Sequence, residues 1–557
     1  MNVSVVLLTG GLAGFLLLPS LGCAAVAAGE RAEPTAPEQP RAFVDTMIVP
    51  SNGRTIEVKA GDDLQQALDR AEPGDTILLE PGARFIGPFS LPNKPTGRGW
   101  ITVRTAAPDR QLPPPGTRVR PADASSMPKL VARRGDGVIH AEQGAHHYRL
   151  IGLEITPSDG TYLYSLVWFG HNRDRSVEDL PHHLIVDRCF IHGDPAKGSR
   201  RGIALNGRSL AVIDSHLSDF KEVGGDSQAI MGWGGPGPFK IVNNYLEGAG
   251  ENLMFGGGDP SIRDLVPSDI EIRQNHMVKP LAWKRGEPGF HGTAWTIKNI
   301  FELKNARRVI ADGNVLEHNW QESQNGFAVL LTVRNQDGKA PWSVVEDVRF
   351  TNNVIRHSGS GLNLLGRDDN HPSEETKRIL IENNYWEDIG GARWGGTGIL
   401  FQLMNGSSDV AVQHNTGLQK GMVLFALGRP NRRFAFRDNV APHNEYGIFG
   451  NDVGTGASAL DAYFPQALVT GNVLAGGNKR LYPEGNSFPA SLDVTSLAKG
   501  APTIDRPSGT ISADPPGSRQ PGVDRAELCY ALGPLAAAEP LCGRSTLAAG
   551  DVSSISR

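Results

Sequence analysis

Four charged residues between positions 226 and 334 have the side chains that acid–base chemistry or cation binding requires: Asp226, Glu251, Lys298 and Arg334. A basic side chain whose pKa is depressed by burial or by neighbouring positive charge can abstract a proton, and a carboxylate can hold a hard cation. We therefore assign Lys298 and Arg334 as candidate catalytic bases and Glu251 as a candidate metal ligand, with Ca²⁺ as the expected ion. The alternative is that these charges only decorate a solvated surface.

The same region is rich in side chains that suit a sugar ligand. Asp226, Asn252, Trp283 and Trp295 are the candidate substrate-binding residues, and Trp233 and Trp320 offer further flat faces. Lysine and arginine can pair with sugar carboxylates, arginine in a bidentate manner, while indole faces stack on sugar rings. The expected partner is a polysaccharide or a cell-surface glycan. Alternatively, the tryptophans fill structural gaps.

A repeated unit must position these side chains. Residues 346–366 read as two short alternating strands separated by an Asn pair, followed by a Gly turn and a third apolar run. Shifted copies recur at intervals of roughly 24 to 39 residues, which is typical of stacked repeats. The column is Cys189, Ser215, Asn244, Asn275, Asn314, Asn353, Asn384, Asn415, Asn439 and Asn472. Asn tolerates the left-handed region at a bend, and stacked Asn side chains can bond the next rung.

Placing the apolar runs side by side predicts which residues face outward. The runs compared are 203–205, 229–231, 253–255, 295–297 and 329–331. Alternation along a strand then points Gln228, Asn252 and Met254 outward. Glu251 falls on the inward parity, so it must lie in a turn or be buried with a partner. The rungs from Asn275 to Asn353 are longer than the others, so extra residues must leave the coil there as loops, where function usually lies.

A short helix is predicted before the first strand. Leu64, Ala67, Leu68 and Ala71 share one helical face, and Pro73-Gly74 ends the helix. An open solenoid end exposes core and unpaired strand edges, so a helix here would serve as a cap.

The repeats and the segment Pro73-Gly-Asp-Thr-Ile77 resemble the right-handed parallel β-helix superfamily, which contains pectate lyases and related polysaccharide enzymes. The resemblance covers roughly residues 55 to 480. It implies an all-β fold, a single right-handed parallel β-helix solenoid with an N-terminal helical cap. The superfamily also includes hydrolases, adhesins and phage tailspikes, so it does not specify an activity.

Motifs of individual enzyme groups are incomplete here. The Trp-x-Asp-His signature of pectate lyases is absent, and so is the Asn-Thr-Asp with Gly-His-Gly set of polygalacturonase-like hydrolases. The chondroitinase B and alginate lyase group places a Glu-bearing strand beside a catalytic Lys; residues 250–257 supply Glu251, but Gly occupies the Lys region. Two functions stay open: a carbohydrate-active enzyme, with a lyase on uronic-acid glycans ahead of a hydrolase, or a non-catalytic β-helix that binds glycans.

The termini predict export. Residues 1–27 read as a signal peptide ending in Ala25-Val-Ala27, and a lipid anchor at Cys23 is the less favoured alternative. Residues 28–54 read as a linker, 55–500 as the β-helix, and 501–557 as a Pro/Gly/Ser-rich tail with a short helix. We expect a secreted or periplasmic protein whose mature chain has no transmembrane span.

The net charge and the remaining motifs indicate which classes of binding partner and of stabilising site to expect. The formal net charge is −5 with no basic block, which argues against a nucleic-acid partner. In an exported chain a Cys529–Cys542 disulfide is the favoured interpretation, with two free thiols as the alternative. The pairs His146-His147 and His182-His183 lack a third ligand at zinc spacing, so surface or turn positions are the favoured interpretation.

Overall fold

The computed structural model describes residues 33–135, 137–171, 173–492 and 520–542. The predicted signal peptide, its cleavage site, Cys23 and most of the predicted tail lie outside the described residues. Within them, the predicted right-handed parallel β-helix with an N-terminal helical cap is confirmed. Each full turn of the coil contributes one strand to each of three long sheets, here named sheets A, B and C.

Sheet A has 14 parallel strands. They are Thr55–Val58, Thr76–Leu79, Ile101–Thr105, His146–Ile151, His182–Asp187, Arg208–Ile213, Phe239–Val242, Ser268–Arg273, Ala306–Asp312, Val345–Thr351, Lys377–Glu382, Ser408–Gln413, Arg432–Arg437 and Leu468–Thr470.

Sheet B has 13 parallel strands. They are Arg84–Ile86, Lys129–Ala132, Glu154–Pro157, Phe190–His192, His216–Phe220, Tyr245–Gly248, His276–Val278, Val315–Asn319, Val354–Ser358, Tyr385–Ile389, Thr416–Gln419, Val440–Pro442 and Val473–Ala475.

Sheet C also has 13 strands, of which the last is antiparallel to its neighbour. They are Phe89–Leu91, Ile139–Ala141, Ser165–Phe169, Arg201–Leu205, Gln228–Gly232, Glu251–Phe255, Phe301–Leu303, Phe327–Thr332, Ser360–Leu365, Phe401–Met404, Leu424–Leu427, Ile448–Gly450 and Gly454–Thr455. The predicted run 295–297 is not a strand; Phe301–Leu303 takes its place beside Leu253–Phe255.

One continuous apolar core runs along the inside of the coil. In-register neighbours stack like with like, as Leu184 does on Leu210 and Val186 on Val212. No single turn could bury this surface alone, so the core is a property of the stack and each turn depends on its neighbours.

The predicted asparagine column is present. Asn353, for example, is fully buried and accepts hydrogen bonds from the backbone N–H and the side-chain amide of Asn314, both at 2.9 Å. In turn it donates in the same way to Asn384 at 2.9 Å. The ladder runs from Cys189 to Asn472 and continues to Asn486, one member beyond the prediction.

The left-handed residue at this bend is not the ladder member. It is the residue before it, as in Asn352 (φ 54°) before Asn353 and Asn383 (φ 57°) before Asn384. The prediction that the ladder Asn itself occupies the left-handed region is therefore wrong. In an Asn pair the first residue makes the bend, and the second forms the hydrogen-bonded column.

Both ends of the solenoid are covered. Helix α1 (Leu64–Arg70) is capped by Asp63, which accepts from the N–H of Gln66 at 3.0 Å, and its buried residues close the first turn of the coil. Helix α2 (Ala457–Tyr463) packs against the last strands of sheet C. Short 3-10 helices occupy loops at Asp109–Gln111, Pro121–Ser126, Leu281–Trp283 and Lys479–Leu481.

The predicted C-terminal helix is α3 (Arg525–Leu532), followed by 3-10 turns at Gly533–Ala538 and Pro540–Cys542. Its Leu528 and Leu532 are buried on the outer face of sheet B, against Val354 and Tyr385. The predicted Cys529–Cys542 disulfide is present and closes this segment. None of the described helices is both long enough and apolar enough to span a membrane.

The predicted linker is an ordered part of the fold over residues 33–49. This segment, here called the strap, lies along the outside of sheet A. The backbone N–H groups of Thr35, Glu38 and Arg41 each donate a 2.9 Å hydrogen bond to an aspartate, which are respectively Asp409, Asp347 and Asp269. Farther along, the side chain of Val44 is buried on the outer surface of the sheet.

Candidate functional site

A cleft of about 570 Å³ lies on the outer face of sheet C. Four neighbouring strands form its floor, from Ser165–Phe169 to Glu251–Phe255. Its lining comprises Tyr164, Trp168, His171, Arg173, Arg200, Arg201, Asp226, Gln228, Met231, Trp233, Met254, Gly257 and Gly258. Aromatic, cationic and amide groups in one open cleft are suited to a polar ligand with flat faces.

A row of polar side chains crosses the floor of this cleft. Strand register places Ser165, Arg201, Gln228 and Glu251 side by side. Arg201 Nε donates to Gln228 Oε1 at 3.3 Å, and Gln228 Nε2 donates to Glu251 Oε2 at 2.8 Å. The guanidinium of Arg201 lies 5.0 Å from the ring centre of Trp233. Burial lowers the pKa of Arg201 to about 10, so it stays cationic at neutral pH.

The predicted outward orientation of Asn252 is wrong, whereas those of Gln228 and Met254 are confirmed. Glu251 is fully buried with Gln228 as its partner, which is one of the two predicted alternatives. Glu251 bonds Gln228 on the outer face. Asn252 is fully buried and donates to the carbonyls of Leu246 and Val278, both at 2.8 Å. The reason is a local irregularity, because the consecutive amides of residues 252 and 253 both donate to the carbonyl of Ile300. Such a bulge reverses the alternation on one side of it.

Beside the cleft, five charged side chains form a compact group, here called the charge cluster. Its members are Asp226, Glu251, Lys298, Glu302 and Lys304, which interact electrostatically. Lys298 Nζ forms an ion pair with Asp226, and Lys304 Nζ lies 3.5 Å from Glu302 Oε1. The structure therefore brings Asp226, Glu251 and Lys298 together as predicted.

The environment of the charge cluster changes the protonation of its carboxylates. Burial, with the negative charges of Glu302 and Asp226, raises the pKa of Glu251 to about 7. Burial acts in the same direction on Asp226, but the hydrogen bond and charge of Lys298 outweigh it, and the pKa of Asp226 falls below its usual value. Two carboxylates in one group thus differ in affinity for a proton, as acid–base sites require.

Two buried oxygens next to the charge cluster have no hydrogen-bond partner in the described structure: Glu251 Oε1 and Asn299 Oδ1. Asn299 also donates to Glu302 Oε2 at 3.1 Å, which places its amide against that carboxylate. Buried acceptors without partners are costly, and hard cations such as Ca²⁺ take carboxylate and amide oxygens as ligands. Glu251, Glu302 and Asn299 therefore supply the types of oxygen atom that a Ca²⁺ ion takes as ligands.

Arg334 is not part of the charge cluster. It pairs with Asp368 and Asp369, the latter at 2.6 Å, and lines a second cleft of about 400 Å³. That cleft lies on the next strands of sheet C and is also lined by Glu302, Lys304 and Asn363. The charge cluster thus lies between the two clefts, with Asp226 at the first and Glu302 at the second.

The predicted tryptophans divide into two groups. Trp283 and Trp295, from the loop of residues 279–300, are buried together with Trp320 and Trp394. Lys221 Nζ lies 5.2 Å from the ring centres of both Trp283 and Trp295. This packing agrees with the gap-filling alternative. Trp233, by contrast, lines the first cleft together with Trp168, which was not predicted.

Several charged residues of the site were missed. Arg201 is at the start of its strand, just outside the run 203–205 that was compared with the other strands. Glu302 was missed because the strand was predicted at 295–297, whereas residues 301–303 form it. The sequence did contain a signal for Glu302. Residues 301–303 alternate apolar, charged and apolar, so Glu302 lies between two residues that face inward. The run 295–297, which contains Trp295, was predicted as the strand instead.

Solved structures with a similar fold are distant in sequence. No protein-family model matches the chain, and no curated protein does. The alginate lyase AlyGC of family PL6 is 16% identical with a TM-score of 0.48, and the match covers 79% of this chain but only 54% of that one. A mannuronic-acid-specific family 6 lyase from human gut microbiota is 13% identical with a TM-score of 0.48, covering 80% and 93% of the two chains. Pectate lyase Pel9A is 13% identical with a TM-score of 0.28, covering 84% and 91%.

Proposed function

We propose that this protein is an exported polysaccharide lyase that binds an extended uronic-acid glycan along the outer face of sheet C. The observation that supports this most directly is the charge cluster between two clefts of one continuous surface. Eight strands, from Ser165–Phe169 to Phe401–Met404, carry the clefts, so the surface is about 34 Å long at about 4.8 Å per strand. A surface of that length suits a chain of several sugars better than a small molecule.

The charges of the cluster support a bound cation. Within the charge cluster itself, three carboxylates against two ammonium groups leave one excess negative charge when all are ionised, and Lys279 and Arg201 act on Glu251 from outside it. Ca²⁺ at Glu251, Glu302 and Asn299 would reverse that sign and would neutralise a substrate carboxylate. The unpartnered oxygens of Glu251 and Asn299 support this arrangement.

In the proposed reaction, a base removes the proton at C5, next to the substrate carboxylate, and the C4–O bond breaks as the C4=C5 double bond forms. Lys298 is the proposed base: once its ammonium has released a proton to solvent and the ion pair with Asp226 has opened, the neutral amine takes the C5 proton. The ammonium formed in this way gives a proton to the departing oxygen, which leaves as a hydroxyl group. Arg201 and Arg334 would bind sugar carboxylates on either side, and Trp233 would stack on a ring.

The non-catalytic alternative has one observation in its favour. Both predicted bases are paired with carboxylates in the described structure, Lys298 with Asp226 and Arg334 with Asp368 and Asp369. An ion pair engages the charged head group of each residue, which suits charge recognition better than proton abstraction. A glycan-binding protein without turnover is therefore the second candidate function.

The deciding experiment incubates the purified protein with a panel of uronic-acid polymers that includes alginate and pectate, with Ca²⁺ or with EGTA. Ultraviolet absorbance of an unsaturated product reports the elimination, and retardation in gels containing each polymer reports binding. Product formation that Lys298→Ala abolishes would support the lyase. Retardation without product would favour the alternative. No retardation by any polymer would contradict both.

A further inference from the structure

Two histidine pairs that are 36 residues apart in sequence become neighbours in the fold. His146–Ile151 and His182–Asp187 are adjacent parallel strands of sheet A, and His146 is in register with His182. The rings of His146 and His182 stack with centres 4.9 Å apart, and those of His147 and His183 with centres 4.5 Å apart. The third ligand that the sequence spacing failed to supply thus comes from the neighbouring rung.

We propose that His147, His182 and His183 bind a divalent transition-metal ion of the zinc class, on a face of the protein separate from the charge cluster. One ring nitrogen of each residue lies within 4.8 Å of a ring nitrogen of both others. In a tetrahedral zinc site with Zn–N bonds of about 2.0–2.1 Å, the nitrogens are about 3.4 Å apart. Side-chain rotations that shorten each N···N separation by at most about 1.4 Å would therefore form the site.

The local backbone aims these rings at one another. His147 and His183 have φ angles of 57° and 53°, a conformation that non-glycine residues seldom adopt. Within each pair, consecutive rings are thereby turned toward each other, with Nδ1 atoms 2.9 Å apart in His146-His147 and 2.8 Å apart in His182-His183. A strand with ordinary alternation would point the two side chains to opposite faces.

Ligand chemistry selects the class of metal. Imidazole nitrogens suit Zn²⁺, Ni²⁺ and Cu²⁺, whereas Ca²⁺ and Mg²⁺ require oxygen. Three imidazoles leave a fourth position for His146 or for water. The guanidinium of Arg208, on the next strand, acts on His182 and His183 and opposes a cation there.

The test titrates Zn²⁺ into the untagged, chelator-treated protein by calorimetry and follows Co²⁺ as a spectroscopic probe. We expect one Zn²⁺ per chain at the histidines and the intense visible bands of tetrahedral Co²⁺. The double variant H147A/H182A should weaken Zn²⁺ binding at least 10-fold, while H291A, at an exposed loop histidine, should not change it.

Two further measurements distinguish a loss of Zn²⁺ binding from a failure to fold. The thermal midpoint of each variant without metal identifies any that fail to fold, and the conservative single variant H183Q should still lose the tetrahedral Co²⁺ spectrum. Arg208→Gln should tighten Zn²⁺ binding several-fold, because it removes a repelling charge. Zn²⁺ binding that is equal in wild type and H183Q, or that Arg208→Gln weakens, would overturn the proposal.

Discussion

The backbone N–H of Arg41 donates a 2.9 Å hydrogen bond to a carboxylate oxygen of Asp269, 228 residues farther along the chain. It is one of three such contacts at every third strap residue, on aspartates that lie two strands apart in sheet A. Three residues of a polyproline II helix rise about 9.3 Å, and two strand spacings measure about 9.6 Å. Prolines at positions 34, 37 and 40 favour that conformation, so the strap matches the repeat of the solenoid.

The three strap contacts predict that the loss of one contact loosens the strap at the other two. Asp347 accepts from the N–H of Glu38 at 2.9 Å and from Arg378 Nε at 2.6 Å. Asp347→Ala should lower the free energy of unfolding by about 2–4 kcal/mol, because Arg378 and a backbone amide lose a charged acceptor. Amide hydrogen exchange should accelerate at Thr35 and Arg41 as well as at Glu38. Asp337→Ala, at an exposed carboxylate, is the control and should alter neither measurement. Unchanged exchange at Thr35 and Arg41 would show that the strap contacts are independent.

The asparagine ladder predicts a second stability difference. Asn353→Ala removes the side-chain hydrogen bonds to Asn314, to Asn384 and to the carbonyl of Ala311, all in the interior. We expect a loss of about 2–4 kcal/mol in denaturant unfolding. The matched variant Asn370→Ala, at an exposed loop residue, should stay within about 0.5 kcal/mol of wild type. Equal midpoints for the two would remove the argument for the ladder.

The raised pKa of Glu251 predicts a pH dependence of stability. Below about pH 4.5 the carboxyl is protonated in both folded and unfolded chains; between that pH and about 7 the unfolded chain releases the proton first. The free energy of unfolding should therefore fall as pH rises from 5 to 7 in EGTA, by up to about 3 kcal/mol from this group. Lys279, whose pKa burial lowers to about 7, acts above that window.

Glu251→Gln tests this dependence, because an amide keeps the shape of the side chain and cannot ionise. The difference between wild type and variant should shrink toward pH 5, where both are neutral at this position. Glu484→Gln, at an exposed residue, gives the baseline. A wild-type curve parallel to that of Glu251→Gln between pH 5 and 7 would show that Glu251 titrates normally.

The fold followed from the sequence because its cause is repeated. Ten copies of one bend place Asn or a small residue at a common register. Misreading one copy therefore leaves the prediction of the fold unchanged. The site depends on departures from simple alternation instead. At the start of the sheet C strands two consecutive residues face the core, as Ala229 and Ile230 do, and this irregularity misplaces Asn252. One loop also carries the apolar run of Trp295 away from the sheet.

The histidine pairs and the strap escaped prediction for a related reason. Both depend on which residues lie on neighbouring rungs, and the number of residues per rung varies. His146 and His182 meet because their strands are adjacent, although 36 residues separate them. Pro34, Pro37 and Pro40 look like an ordinary linker until the spacing of Asp269, Asp347 and Asp409 is known.

The last prediction concerns the length of the glycan that the outer face of sheet C binds. Arg201 lines the first cleft and Arg334 the second, with the charge cluster between them. Each can pair with a sugar carboxylate, but only a long chain reaches both. We expect Arg201→Gln and Arg334→Gln each to weaken binding of a long uronic-acid polymer about 10-fold, as the loss of one charged pair implies.

A short oligosaccharide should behave differently. It can occupy one cleft at a time, so its affinity should respond strongly to only one of the two substitutions. Arg263→Gln, at an exposed arginine whose side chain is 87% accessible, is the matched control and should leave both ligands unaffected. Affinities measured by calorimetry against oligosaccharides of increasing length provide the comparison. If both substitutions weaken binding of the shortest ligand equally, the two clefts are not separate subsites. The proposal that one long glycan spans both clefts would then be wrong.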